Sequence, residues 1–189
     1  MFTIKTKISL KDKELIQTQY IYDQFIVTEL NGKKIIFITG SNLFSVNTEN
    51  KSLKAIDISQ QVEQINKVKT MLGILEIENI GKSDDILGYK TKSMKFYNNN
   101  ETIKFSMTTF IITVSGIENT VYTEFMKLEQ DKQLVNFKLE PNEIIASMSS
   151  EIFMQGNLVQ SQSMEIVSIE SELEDNNEFY EYLTYSHEQ

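Results

Sequence analysis

A stretch of alternating apolar and polar residues, reversed at a Gly-Tyr turn, constrains this chain most. It runs from Ile74, Leu75, Glu76, Ile77 and Glu78 to Gly88 and Tyr89, then on through Lys90, Thr91 and Lys92 to Phe96 and Tyr97. Neighbouring side chains of a strand point to opposite faces, so a period of two sustained this long predicts β-structure. The pattern reads as two strands, 74–80 and 89–97, flanking a polar loop, with a third over 102–114 after Asn98, Asn99 and Asn100. Consecutive strands joined in this way make an antiparallel meander.

The same alternation fills the N-terminal third. Phe2, Ile4, Ile8 and Leu10 share one face of a first strand, and Ile16, Thr18, Tyr20 and Tyr22 share one face of a second. Strands 25–30 and 34–39 flank Asn31 and Gly32, a pair that accepts the positive φ of a tight hairpin turn. Strands 43–46 and 53–58 follow. The period then changes. Val62, Ile65, Val68, Met71 and Leu72 recur every three or four residues, which predicts an amphipathic helix over 59–72 with Ser59 as N-cap and Gly73 closing it. Such a helix must dock its apolar stripe, and the concave face of the sheet is the expected surface. Ile117, Val121, Phe125 and Leu128 suit a second short helix after Gly116, although Val121, Tyr122 and Thr123 also suit a strand. A strand over 134–139 ends before Pro141, the single proline, and strands 143–154 and 158–170 pair around Gln155, Gly156 and Asn157. The predicted class is mainly β with some α. It is a curved antiparallel sheet or half-barrel of about ten or eleven strands, with one or two short helices on its concave face. Residues 1–170 read as one domain and 171–189 as an acidic, aromatic tail.

Composition narrows the function. A chain of 189 residues buries roughly 70% of the surface its unfolded form exposes, so a sizeable core is expected. No apolar run approaches the roughly 18 residues a membrane span needs. No leader is visible at Met1, which fits a cytoplasmic protein, and equally a periplasmic or cell-envelope protein whose leader has been removed. The formal charge is −9, with Glu170, Glu172, Glu174, Asp175, Glu178 and Glu181 crowded near the end, so nucleic acid is a poor partner. Every basic residue is Lys, which removes Arg-type clamps on phosphate or carboxylate. The absence of Cys excludes thiolate nucleophiles and Cys metal sites.

Catalytic constellations are hard to assemble from what remains. The single histidine, His187, stands near a terminus, where a frayed end is the better reading than a triad or a zinc ligand. Ser83, Asp84 and Asp85 have oxygens for a hard cation but read better as a solvated turn. Glu76 and Glu78 share a strand face and are read as ordinary polar surface. Gly40, Ser41 and Asn42 lack the spacing of a phosphate loop. No catalytic residue, metal or cofactor is expected. The candidate ligand-lining residues are Tyr20, Tyr22, Phe25 and Phe37 on early strands, Val62, Ile65 and Val68 on the helix, and Phe105 and Met107 on a later strand. Aromatics at strand spacing are more often plain core, so the choice between lining and core stays open here.

The order of strands, helix, strands, short helix and broad final hairpin resembles the LolA/LolB-like lipoprotein-carrier fold. More narrowly, it is similar to an uncharacterised bacterial envelope family of the same layout. The resemblance is carried by Lys34 through Asn47, by Lys51 through Ile56, and by the segment from Gly81 to Ile86, Leu87, Gly88, Tyr89, Lys90, Thr91 and Lys92, which resembles that family's Gly-Tyr-Lys turn between central strands. It implies a half-barrel plugged by helices, an apolar ligand or acyl chain held inside, and an envelope location. The alternative is an acidic interaction or immunity-type module with a basic protein partner. In that reading Phe179, Tyr180 and Leu183 would form one helical face, docked on the partner or back on the sheet. An enzyme would require carboxylate, Lys, Ser or Tyr chemistry.

Overall fold

Turns that accept positive φ set the strand pairing. Asn31 and Gly32 (φ 52° and 73°), Leu87 and Gly88 (52° and 80°), and Gln155 and Gly156 (50° and 82°) each form a two-residue reversal between adjacent strands. Positive φ at both central positions matches the right-handed twist of the strands they join. The structure, a computed structural model, describes residues 1–11, 13–98, 100–135, 138–171 and 177–188. Of Lys82, Ser83, Asp84, Gln130, Asp131 and Asn177 it describes the backbone only.

A first meander comprises β1 (Phe2–Leu10), β2 (Lys13–Ile21), β3 (Phe25–Leu30), β4 (Lys33–Ile38), β5 (Leu43–Asn47) and β6 (Ser52–Ala55). Helix α1 (Ser59–Leu72) carries the chain to a second set: β7 (Glu76–Ile86), β8 (Tyr89–Tyr97), β9 (Ile103–Thr113), helix α2 (Thr120–Asp131), β10 (Glu143–Met154) and β11 (Asn157–Glu170). A short helix α3 (Asn177–Glu181), a 3-10 turn (Tyr182–Thr184) and β12 (Ser186–Glu188) follow. All twelve described strands lie in one sheet, ordered β12-β6-β5-β4-β3-β2-β1-β11-β10-β9-β8-β7. The sheet is open and curved, consistent with a half-barrel. The two meanders join where β1 pairs antiparallel with β11, Ile4 opposite Ile169 and Ile8 opposite Met164. Because α1 leads from β6, which β12 alone separates from one edge, to β7 at the opposite edge, it must cross a face of the sheet.

Several expectations need correction. Among the described residues there are twelve strands, more than the ten or eleven expected, and the sheet is not wholly antiparallel, since β12 runs parallel to β6. Of the strand expected over 134–139, residues 134, 135, 138 and 139 are not in a strand, and residues 136–137 lie outside the described residues. Leu134 and Val135 instead bury their side chains in a bend, which removes apolar surface from water without a ladder partner. The expected polar loop after residue 80 is a continuation of β7 to Ile86. Shifts in register between Asn79 and Gly81, and between Ser83 and Ile86, take up the extra residues as bulges. The second helix starts at Thr120, where Asn119 Oδ1 accepts the Tyr122 N–H at 2.7 Å, as an N-cap does. Helix α1 has the expected bounds, but Ser59 does not cap it. The Asp57 carboxylate accepts the Ser59 N–H at 2.9 Å and also its hydroxyl, and these bonds hold the carboxyl below its usual pKa.

Apolar side chains collect on both faces. Ile26 points into a cluster with Phe2, Ile4, Ile21, Phe37 and Leu43 that α2 covers through Val121, Tyr122 and Phe125. Met164, opposite Ile8 on the same face, joins a neighbouring cluster under α1 with Leu72, Phe96, Phe105 and Met107. Phe25 and Val27 flank Ile26 and so point the other way, into a cluster with Tyr22, Ile36, Phe44 and Leu53. That opposite face is closed by the chain's own C-terminal segment, with Phe179, Tyr182 and Tyr185 buried on it.

Candidate functional site: a cavity between helix α1 and the sheet

Helix α1 packs loosely. Leu72 is its one buried residue, while Ile65 and Val68 are only half-buried. Helix α2 by contrast buries Val121, Tyr122 and Phe125 completely enough to fill its end of the sheet. Strand side chains meet α1 at Leu72 and Val68, and beside that contact a cavity of about 490 Å³ remains. Ile65 and Val68 of α1, Phe105 and Met107 of β9, and Met148 and Ile152 of β10 form its apolar wall. Leu134 and Val135 close one side and also line a second space of about 280 Å³ with Leu72, Leu75, Ile77 and Phe96. The polar part of the wall is almost entirely uncharged: Gln61, Gln64, Gln133, Gln160, Gln162 and Ser150. Lys132 also lines it, and its ammonium is held by Glu129 at 2.5 Å.

Of the nine residues predicted from sequence, Ile65, Val68, Phe105 and Met107 line this cavity. Val62 is half-buried on α1 and is not part of the lining. Phe37 packs instead in the α2-covered core, its ring 5.7 Å from that of Phe125. Tyr20, Tyr22 and Phe25 lie on the opposite face. Tyr20 pairs with Val27 across β2 and β3, and Tyr22 stacks on Phe25 at 4.4 Å. Alternation placed these three together correctly but could not say which face holds the cavity, because β3 and β4 are apolar on both. The glutamines escaped sequence reasoning. Their signal was the period-two run Gln160, Gln162, Met164, which puts two amides on the helix-covered face of β11.

The opposite face has its own polar anchor. Lys34 Nζ donates to Glu178 Oε1 at 2.6 Å and to the Tyr182 hydroxyl at 2.8 Å, and Tyr182 donates to the same carboxylate at 2.6 Å. Glu29 adds a contact at 3.3 Å, and the Phe179 ring centre lies 5.2 Å from the ammonium. Partial burial alone would lower the Lys34 pKa, but the bonds to Glu178 and Tyr182 outweigh it and raise it. Those bonds hold the Glu178 carboxyl below its usual range, while burial, then the Glu178 bond, pushes the Tyr182 phenol up to about 12.

Among the described residues, none of the remaining candidates lines the cavity. His187 sits on β12 against the Phe44 ring at 5.0 Å. The Gly40 N–H is taken by Glu124 Oε2 at 2.8 Å, so a carboxylate occupies the place a phosphate would need. Glu76 and Glu78 are exposed on edge strand β7. Asp85 is exposed, and the side chains of Ser83 and Asp84 lie outside the described residues, as do Glu172, Glu174 and Asp175 of the acidic tail. Among the described residues no helix is long and apolar enough to cross a membrane. The chain matches no known protein-family profile, and no curated protein is recognisably similar to it in sequence.

Proposed function

We propose that this protein is a non-enzymatic binding protein that holds an apolar ligand, such as an acyl chain, between α1 and the sheet. The observation that carries this reading is the cavity of about 490 Å³, which falls in the range of small-molecule sites, roughly 300–1,000 Å³. Its wall joins eight apolar side chains to six uncharged polar ones and Lys132. Burial of a chain there supplies affinity without directed chemistry. The described lining offers no carboxylate, histidine or activated nucleophile, which favours binding over catalysis. The likeness to LolA/LolB-like carriers points the same way and makes the cell envelope the proposed location, with the cytoplasm as the alternative; fractionation of the native host decides between them.

The acidic interaction module draws less support. Of the face it would present, Phe179 is buried on the chain's own sheet, while Tyr180 and Leu183 stay exposed. The deciding experiment is extraction of protein purified from its native host, followed by mass spectrometry. A stoichiometric lipid or other apolar molecule is the expected result. A clean extract, together with capture of a basic protein, would replace this reading with the interaction module.

A further inference from the structure

We infer that Leu134 sets the length of apolar chain the cavity accepts, as a stop between two spaces that would otherwise form one trough. This rests on the apolar-ligand reading and specifies its ligand by length. Leu134 and Val135 border both the cavity of about 490 Å³ and the space of about 280 Å³, and they alone are shared among the described lining residues. The roof is continuous over the two. Gln61, Gln64, Ile65 and Val68 of α1 cover the larger, and Lys69, Leu72 and the closing Gly73 cover the smaller. From Gln61 to Gly73 that roof runs roughly 18 Å at the helical rise per residue. The floor is continuous as well. Phe96 of β8, lining the smaller space, pairs in register with Met107 of β9, lining the larger, so no strand stands between them.

The two shared side chains are not equivalent. Val135 is buried in the cluster with Leu72, Phe96 and Phe105, whereas Leu134 is half-buried against it. Leu134 also lies in a bend, outside any strand or helix, so its side chain can be changed with little cost to the core. Polarity orients the ligand. All six uncharged polar side chains border the larger space, while the smaller is walled by Leu72, Leu75, Ile77 and Phe96, with Lys69 its one polar side chain among those described. The polar end of a ligand therefore belongs in the larger space, and the end of its chain meets Leu134. A chain too long for that space leaves methylenes in water, and each one then adds none of the about fourfold gain in affinity that burial brings.

The test is calorimetric titration of the full chain with monodecanoylglycerol, monomyristoylglycerol and monostearoylglycerol. In the unaltered protein affinity should climb by about fourfold per methylene and then stop, monostearoylglycerol binding no tighter than monomyristoylglycerol. Leu134→Ala joins the two spaces and should tighten monostearoylglycerol by at least about tenfold. Monodecanoylglycerol should change by less than about twofold, which also reports that the variant is folded. Leu134→Phe thickens the stop and should weaken monomyristoylglycerol by about tenfold, with monodecanoylglycerol again unchanged. The same preferred length in the unaltered protein and both variants, or an affinity that keeps climbing to monostearoylglycerol in the unaltered protein, overturns the length stop while leaving an apolar site in place. Failure of all three glycerides to bind overturns the apolar-ligand reading and this inference with it.

Discussion

Thr109 sits in β9 with no exposed surface, and its hydroxyl finds no hydrogen-bond partner. Its register neighbours are Met148 on β10 and Met94 on β8, both apolar. Thr109→Val keeps the shape and β-branching while removing the unsatisfied group, so a gain of about 1 kcal/mol is expected, read as a higher melting temperature. The Lys34, Glu178 and Tyr182 cluster gives a second prediction, in pH. The Glu178 pKa is depressed from its ordinary value of 4.5, so its contribution is present above that value and lost as pH falls through the folded pKa. The Lys34 and Tyr182 pKa values are raised from 10.5 and 10.0, so their contribution is present below those values and lost as pH rises through the folded ones. Docking of the C-terminal segment should therefore hold between about pH 4.5 and 10 and weaken on both sides. Amide exchange at Ser186, whose N–H bonds Lys51 O at 3.2 Å, reports it, and Glu178→Gln should flatten the acid limb. Unchanged protection at Ser186 both below about pH 4.5 and above about pH 10 would refute the linkage.

At the scale of elements, the C-terminal segment and α1 behave differently, and both follow from how much each buries. Phe179 and Tyr182 are almost fully inaccessible, and β12 adds only three residues beside the short strand β6. Aromatic burial therefore holds the segment more than its ladder does. Phe179→Ala should cost about 3 kcal/mol and free β12, raising exchange at Ser186 while the β9 and β10 amides stay protected. Equal loss of protection in all strands would mean the segment is integral to the cooperative core. Its helix was legible in the spacing of Phe179, Tyr180 and Leu183, but the face was not. Phe179 and Tyr182 turn inward, while Tyr180 is 44% exposed and Leu183 36% exposed. The bounds of helix α1, Ser59 to Leu72, were legible because its period and Gly73 act locally, whereas its N-terminal bond comes from Asp57 and not from Ser59. How closely it approaches the sheet was not, since that depends on the Phe105, Met107 and Met148 side chains brought beneath it from distant positions.

At the scale of the whole molecule, an open sheet with one end filled by α2 and the other only roofed by α1 creates the proposed binding space. Filling that space tests it. Ile65→Trp adds an indole on the cavity side of α1, so binding of monomyristoylglycerol should fall by at least about tenfold with no loss of thermal stability. Retained binding would move the site elsewhere, and a large drop in melting temperature would mean the cavity is smaller in solution. The amino-acid sequence by itself determined most strands, their tight turns and the bounds of α1, because alternation, positive-φ dipeptides and helical periodicity are written within a few neighbouring residues; the extension of β7 to Ile86 and the parallel β12 depend on partners elsewhere in the sheet. Tertiary structure alone decided which face became the cavity. Residues 25–27 are Phe, Ile and Val, apolar in both directions, and hydrophobic burial has no preferred direction. The choice fell to the partners that arrived from far along the chain: α2 on one side, and Phe179, Tyr182 and Tyr185 on the other.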